Sequence, residues 1–220
     1  MALVSTLNKP QGLTPVKYLS GNNWDGRGRM YHIDSGDTNA YYVGDPVSLK
    51  AGTATIAGED AGLPTLTVGQ VGATNVGVIL AIGTTPRGGP YIDPSNLGYG
   101  SQVVTGAPAT KIKPYYALVA DDPNIIFMIQ EGGGGTALTV AACSKNANFA
   151  LAAPATGVMY SGAYLNNSTA PATTAAYNLK LLGLAQIIDS STGIYNTYGP
   201  YAKWLCLLNN HYYMPGRAGI

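Results

Sequence analysis

The run from residue 115 to residue 130 carries the densest apolar pattern in the chain and constrains the fold most strongly. Aromatic and β-branched residues fill both halves of this run, whereas Asp121-Asp122-Pro123-Asn124 in its middle is typical of a turn. The pattern predicts two strands joined by a hairpin or at a corner. In the second strand Ile125, Phe127 and Ile129 share one face, and the opposite face is also largely apolar. A strand buried on both sides needs covering layers, so we expect this run at the centre of the core.

Strong strand signals also occur on either side of this run. Residues 76–82 alternate, and one face of the predicted strand would carry Val76, Val78, Leu80 and Ile82. Residues 179–188 and 201–212 predict a second hairpin, because two apolar runs are separated by glycine, asparagine and proline. The apolar face of its second arm would consist of Ala202, Trp204, Cys206 and Leu208.

The composition favours strands over helices. The chain has 29 glycines, 14 prolines and 16 tyrosines, and long runs of good helix formers with capping signals are scarce. Eight or more strands at turn-punctuated spacing predict an all-β chain in which residues 21–220 form a single-domain β-sandwich. Among sandwiches the length favours a jelly roll, and an irregular barrel is the alternative.

The N-terminal segment, residues 1–20, is predicted to be an extended arm outside the sandwich. It contains Pro10 and Pro15 and has no sustained period. A disordered terminus is the alternative, but the segment is more apolar than disorder normally allows. The residues that give it this character are Leu13, Val16, Tyr18 and Leu19. We therefore expect the arm to become ordered on a partner.

The loop that follows, residues 21–29, contains one tryptophan and two arginines, which are residue types enriched at protein interfaces. The alternative is a tryptophan that covers the core, with solvated arginines nearby. Together the arm and this loop give the predicted partner contacts, which are Leu13, Pro15, Val16, Tyr18, Trp24, Arg27 and Arg29. A second long loop, residues 84–100, offers Tyr91 and Tyr99 as further contacts.

Charge excludes several classes of partner. Charged residues make up 10% of the chain and the net charge is +1, so the surface is nearly neutral, which suits a protein packed against partners. The scattered basic residues form no stripe for nucleic acid.

No apolar run approaches the length of a membrane span, and no signal peptide is recognisable. Synthesis in the cytosol then predicts that Cys143 and Cys206 are reduced.

Residue patterns for catalysis, metals and cofactors are weak. His32 and His211 are the only histidines, and no Gly-x-Ser-x-Gly motif occurs. The turn at residues 34–39 lacks the distal acid of a calcium loop. The glycines at 132–135 lack the Lys-Ser/Thr of a phosphate loop. We expect no enzymatic activity, no metal site and no cofactor.

Several pieces of the sequence, spread nearly from end to end, carry a family resemblance. They are Gly12-Leu13-Thr14-Pro15-Val16 with Leu19-Ser20-Gly21, Val43-Gly44-Asp45-Pro46-Val47, Val119-Ala120-Asp121-Asp122-Pro123 through Phe127-Met128-Ile129-Gln130-Glu131, and Lys203-Trp204-Leu205 leading to Asn209-Asn210-His211. In this order and spacing the chain resembles the head cement, or capsid decoration, proteins of tailed bacteriophages.

The resemblance implies a β-sandwich that binds the outside of a phage capsid at joints between major capsid protein subunits and stabilises the head against internal DNA pressure. We accordingly expect the major capsid protein as partner, a homo-oligomer (dimer or trimer) on the capsid, and a location on the virion exterior after synthesis in the host bacterial cytoplasm. The alternative is a glycan-binding, lectin-like β-sandwich on a phage or bacterial surface, since the 16 tyrosines could stack on sugars. An enzyme that uses His32 or His211 is the third hypothesis.

Overall fold

The computed structural model describes residues 8–52, 56–84, 103–104, 106–154, 160–188, 193, 195–214, 216 and 218–219. Fifteen strands and one 3₁₀ turn, Val140–Ala142, form the regular structure of these residues. The strands are β1 (Thr14–Tyr18), β2 (Arg29–Ile33), β3 (Tyr41–Tyr42), β4 (Pro46–Leu49), β5 (Leu66–Val68), β6 (Gly77–Gly83), β7 (Val103–Val104), β8 (Gly106–Ala107), β9 (Tyr115–Ala120), β10 (Ile125–Gln130), β11 (Asn146–Ala147), β12 (Phe149–Ala150), β13 (Tyr164–Leu165), β14 (Leu179–Leu184) and β15 (Lys203–Leu208). The expectation of an all-β chain is confirmed.

Two antiparallel sheets dominate the fold. Sheet I has the strand order β1-β10-β15-β14-β11. Sheet II has the order β2-β9-β6-β4-β5, and β7 pairs with β6 beside this path. Two small sheets, β12-β13 and β3-β8, accompany them.

The central run, residues 115–130, forms two strands that lie in different sheets. Strand β9 pairs with β2 and β6 in sheet II, whereas β10 pairs with β1 and β15 in sheet I. The turn between them is closed by the Ile125 N–H, which donates to the Asp122 carbonyl oxygen at 3.1 Å. Of the two predicted connections, the structure has the corner. The chain therefore crosses from sheet II to sheet I at this turn.

A shared core lies between the two sheets. From sheet I it receives Ile125, Phe127 and Ile129, as predicted, together with the buried face of β15. From sheet II it receives Val78 and Ala120. A second apolar cluster covers the other face of sheet II, and it includes Tyr31, Ile33, Tyr41, Val47, Leu66, Ile79, Ile82 and Val119. Sheet II is thus buried on both faces, which explains why its strands are so uniformly apolar.

The predicted alternation of residues 76–82 is wrong in part, because β6 contains a bulge. Val119 pairs with Ile79 and Leu118 pairs with Ala81, so Leu80 is the extra residue. A bulge moves the following side chains to the opposite face. Val78 and Leu80 therefore contact the core between the sheets, while Ile82 joins the second cluster.

The C-terminal hairpin is confirmed. Strands β14 and β15 pair antiparallel, with Leu181 opposite Cys206. The predicted apolar face of the second arm is buried in the shared core, and its members are Ala202, Trp204, Cys206 and Leu208. Cys143 and Cys206 are both free thiols, and Cys143 is half-buried.

The expectation that residues 1–20 stay outside the sandwich is wrong for residues 13–18. Leu13 is 1% exposed and belongs to the shared core, and β1 pairs with β10 from Thr14 opposite Met128 to Tyr18 opposite Ile125. Pro15 is compatible with this position because β1 is an edge strand and its register shifts just after the proline. Residues 1–7 lie outside the described residues, as do residues 85–100 of the second long loop.

Candidate functional site

The seven predicted contact residues separate into a buried residue and a surface group. Leu13 is a core residue, so its prediction as a partner contact is wrong. Trp24 is half-buried and packs against the shared core, which agrees with the alternative that it covers the core. The residues that reach the surface at least in part are Pro15, Val16, Tyr18, Arg27 and Arg29.

One cluster of these surface residues surrounds Asp25. The Tyr18 hydroxyl donates to Asp25 Oδ1 at 2.9 Å, and Arg27 Nε lies 2.9 Å from Asp25 Oδ2. Burial and the hydrogen bond to Asp25 raise the pKa of Tyr18 to about 12, so its hydroxyl stays protonated. The same hydrogen bond lowers the pKa of Asp25. Asp25 thereby ties the loop that carries Arg27 to the end of β1.

The backbone holds this loop in place. The Tyr18 N–H donates to the Asn22 carbonyl oxygen at 2.8 Å, and Lys17 and Asn23 form an antiparallel bridge. The chain thus turns back along the outer edge of β1. This covers part of an edge that would otherwise present unpaired N–H and C=O groups.

A second cluster surrounds Asp121, the first residue of the corner turn. The Tyr31 hydroxyl donates to Asp121 Oδ2 at 2.7 Å, and Arg29 Nε lies 3.4 Å from the same oxygen. Burial raises the pKa of Asp121, while the Tyr31 hydrogen bond and the Arg29 charge oppose this shift. The Arg29 guanidinium also lies over the Tyr213 ring, 5.4 Å from its centroid, and the Tyr213 hydroxyl lies 3.2 Å from the Tyr31 hydroxyl.

Sequence reasoning missed the two consecutive tyrosines next to this cluster. Tyr212 and Tyr213 are 57% and 46% exposed, and their rings meet edge to face at 5.4 Å. Their position is set by backbone contacts, because the Tyr212 N–H donates to the Asn75 carbonyl oxygen at 2.8 Å and the Tyr213 N–H donates to His211 Nδ1 at 3.1 Å. The available signal was two consecutive tyrosines in the polar segment that follows β15, since large aromatic side chains tend to be at least partly buried.

The two clusters meet at the turn of residues 121–124. The Leu19 N–H donates to the Asn124 carbonyl oxygen at 2.8 Å. The charge of Asp122 in this turn adds to the effect of burial and of Asp25 in raising the pKa of Tyr18, and it opposes the lowering of the His211 pKa by burial. We use the name corner surface for the set Leu19, Asp25, Arg27, Arg29, Tyr212 and Tyr213. Tyrosine and arginine are the types that most often carry binding energy at protein interfaces.

The histidines have structural surroundings. His32 Nδ1 lies 3.0 Å from Thr65 Oγ1 in a fully buried site, and burial lowers the pKa of His32. Burial also lowers the pKa of His211, to about 4. Both rings are therefore neutral near pH 7. Within the described part of the chain, no group of three or more His, Cys, Asp or Glu residues could hold a metal ion.

The pieces of sequence that carry the family resemblance contact one another in the interior. The Leu13 N–H donates to the Gly44 carbonyl oxygen at 2.9 Å, and Gly12 has a positive φ of 67°. A Cβ on Gly12 would collide with the Gly44 carbonyl oxygen, so only glycine permits this approach. Glu131 and Trp204, from two other pieces, are hydrogen-bonded in the core. These contacts hold segments of the sandwich together.

Comparison of the chain with protein-family models, curated proteins and solved structures gives no match. No helix among the described residues is long and apolar enough to cross a membrane.

Proposed function

We propose that this chain is a structural virion protein that binds the outside of a tailed-phage capsid at joints between major capsid protein subunits and stabilises the head. The observation that carries the proposal is the corner surface, in which exposed tyrosine and arginine side chains are held in place before any partner binds. The resemblance to head cement proteins supplies the identity of that partner.

The fixed geometry of the corner surface favours binding over a solvated role. Arg29 is held by both Asp121 and the Tyr213 ring, and Arg27 is held by Asp25. A side chain that is already ordered loses less conformational entropy on binding.

The low charge of the chain supports the same proposal. With 10% charged residues, the surface has little self-repulsion to keep copies apart, which suits a protein that functions in a dense array. Many copies bound to one shell also gain avidity, so each contact can be modest.

The test uses heads assembled without the protein. Purified full-length chain is added, the heads are sedimented, and the bound amount is measured against concentration. Tyr212→Ala and Arg27→Glu should each weaken binding at least about tenfold, because they remove exposed side chains of the corner surface. Ile112→Ala is the matched control, since Ile112 is 95% exposed outside this surface. Unchanged binding by both variants, or no binding by the wild type, would contradict the proposal.

A glycan-binding module is the second candidate, and the exposed Tyr212–Tyr213 pair is the observation that favours it. Aromatic rings stack on sugars, and Arg29 beside Tyr213 could hydrogen-bond to hydroxyl groups. The two candidate functions predict different effects of soluble glycans on binding. Soluble glycans should leave attachment to heads unchanged if the protein partner is correct, whereas retention on a glycan array that Tyr212→Ala abolishes would favour the lectin.

A further inference from the structure

The acidic turn at residues 34–39 contacts a lysine ammonium from a distant part of the chain. Lys111 is 9% exposed, and its Nζ donates to the carbonyl oxygens of Asp37 and Asn39 at 2.6 Å each. The same nitrogen lies 5.3 Å from the centroid of the Tyr41 ring, which is buried. Carbonyl oxygens and an aromatic face are groups that bind a cation. The turn that has part of a calcium-loop pattern therefore holds a cation that belongs to the chain itself.

Hydrogen bonds within the turn fix the positions of these groups. The Asp37 N–H donates to the Asp34 carbonyl oxygen at 3.0 Å, and Asp34 Oδ1 accepts the Gly36 N–H at 2.9 Å. Asp37 Oδ1 accepts the Asn39 N–H at 2.7 Å, and Asp37 Oδ2 accepts the Tyr41 hydroxyl at 2.5 Å. The two carbonyl oxygens and the ring that contact the ammonium are thus parts of one hydrogen-bonded unit.

The charges around the turn balance. Its two acids, Asp34 and Asp37, are buried, and a second lysine reaches it, because Lys50 Nζ lies 2.7 Å from Asp34 Oδ2. A buried carboxylate is costly without a positive charge nearby. Burial lowers the pKa of Lys111, whereas the charges of Asp37 and Asp34 oppose this shift. Two acids therefore face two lysines, and the acids favour the charged form of Lys111.

The same oxygens fit an ammonium group better than a calcium ion. Ca²⁺ takes about six to eight oxygen ligands. Here two carbonyl oxygens point at the cation, while the carboxylate oxygens of Asp34 and Asp37 accept hydrogen bonds from other groups. A primary ammonium has three N–H donors, so it can place one on each carbonyl oxygen and still face the Tyr41 ring. The ligand class of this site is a primary alkylammonium ion.

We propose that residues 34–39 and Tyr41 form a binding site for a primary ammonium group, and that Lys111 is its built-in ligand. Because the ligand is a side chain, the site is filled without any free cation. The contact joins the connection between β8 and β9 to the turn that follows β2. The site is separate from the corner surface and independent of the proposed capsid role.

Chemical rescue of Lys111→Ala tests the site. The substitution removes the ammonium and most of its stem, which leaves room for propylammonium. We expect the Tm of the variant to fall by at least about 5 °C, since two charged hydrogen bonds are lost. Propylammonium chloride at pH 7 should raise this Tm more than that of the wild type, with sodium chloride at equal ionic strength as reference. An equal effect of propylammonium on both proteins would overturn the proposal.

Two control variants and one control ion make the test specific. Lys111→Met fills the same space without a charge, so it should lose stability and gain nothing from propylammonium. Lys113→Ala removes an exposed lysine two residues away and should keep the wild-type Tm. Calcium chloride should not replace propylammonium. Equal rescue of the alanine and methionine variants, or rescue of Lys111→Ala by calcium alone, would contradict an ammonium site.

The test also works if Lys111→Ala does not fold by itself. The variant is then refolded from urea with and without propylammonium, and the yield of soluble protein with wild-type near-UV circular dichroism is measured. We expect a higher yield with propylammonium for Lys111→Ala and no change for Lys111→Met. An unchanged yield for Lys111→Ala would overturn the proposal.

Discussion

The Trp204 indole N–H donates a 2.8 Å hydrogen bond to Glu131 Oε2, and both side chains are fully buried. The other carboxylate oxygen, Oε1, accepts the Leu138 N–H at 2.8 Å and an Asn167 Nδ2–H at 3.0 Å. Glu131, which follows β10, is therefore linked to β15 through Trp204 and to two loops through Leu138 and Asn167. Next to it, a Cβ on Gly133 would collide with the Tyr201 ring, so close packing explains a glycine there.

Glu131→Ala should destabilise the protein severely. The substitution leaves buried donors on Trp204, Leu138 and Asn167 without their acceptor, and each such loss costs about 1–3 kcal/mol. The expected total of about 3–9 kcal/mol is large beside a typical domain stability of about 5–15 kcal/mol. Urea unfolding followed by tryptophan fluorescence measures it.

Trp204→Phe is the comparison for this prediction, because it removes only the indole donor and keeps an aromatic ring in the core. We expect its loss of stability to be the smaller of the two. If Glu131→Ala costs no more than Trp204→Phe, the carboxylate is not the centre of this network.

Deleting residues 1–18 should destabilise the sandwich, because the deletion removes β1 and the buried Leu13. Loss of a buried leucine alone costs about 2–5 kcal/mol, and the edge of β10 would also be exposed. Thermal unfolding of the purified variants measures the effect. Deletion of residues 1–7 leaves β1 intact and is the control, and an equal loss of stability in both deletions would contradict the structural role of β1.

Side-chain alternation in the sequence correctly predicted which faces of the strands are buried. It did not predict where the strands lie in the sheets. The buried faces of β10 and β15 follow from a period of two along the chain, which reports local geometry. The bulge at Leu80 depends on how β6 pairs with β9, and a strand at Pro15 becomes acceptable only at a sheet edge. The corner surface was predicted in part: Arg29 was identified by residue type, but its contact with Tyr213 depends on the packing of distant segments.

The two thiols should differ in reactivity in the native protein. Cys206 is fully buried in the shared core, and burial raises the pKa of its thiol, whereas Cys143 is half-buried. Reaction with a thiol-specific disulfide reagent at pH 8 requires an accessible thiolate. In the native protein we expect one fast-reacting thiol, which should be absent from the Cys143→Ser variant. In denaturant we expect two reactive thiols. Fewer than two in denaturant would contradict the reduced state predicted from the sequence.

The stability of the fold should respond to pH through two buried groups with opposite signs. Burial raises the pKa of Asp45 to about 6, although hydrogen bonds from Ser161 and the Tyr42 N–H oppose the shift. A carboxyl with a raised folded pKa stabilises the fold below its unfolded pKa of 3.8, and this stability is lost as the pH rises to about 6. His211 has a pKa lowered to about 4 from 6.5, so its contribution is present above pH 6.5 and is lost as the pH falls to about 4.

Asp45→Asn separates these two contributions. Asparagine can still accept the Tyr42 N–H and contact Ser161, but it carries no charge that must be buried. At pH 4 the variant and the wild type should have similar stability. At pH 7.5 the variant should be more stable by about 3 kcal/mol, which is the equivalent of a shift of about two pKa units. Urea unfolding at both pH values measures the difference, and a variant that is less stable than the wild type at pH 7.5 would show that the ionised Asp45 carboxylate stabilises the fold.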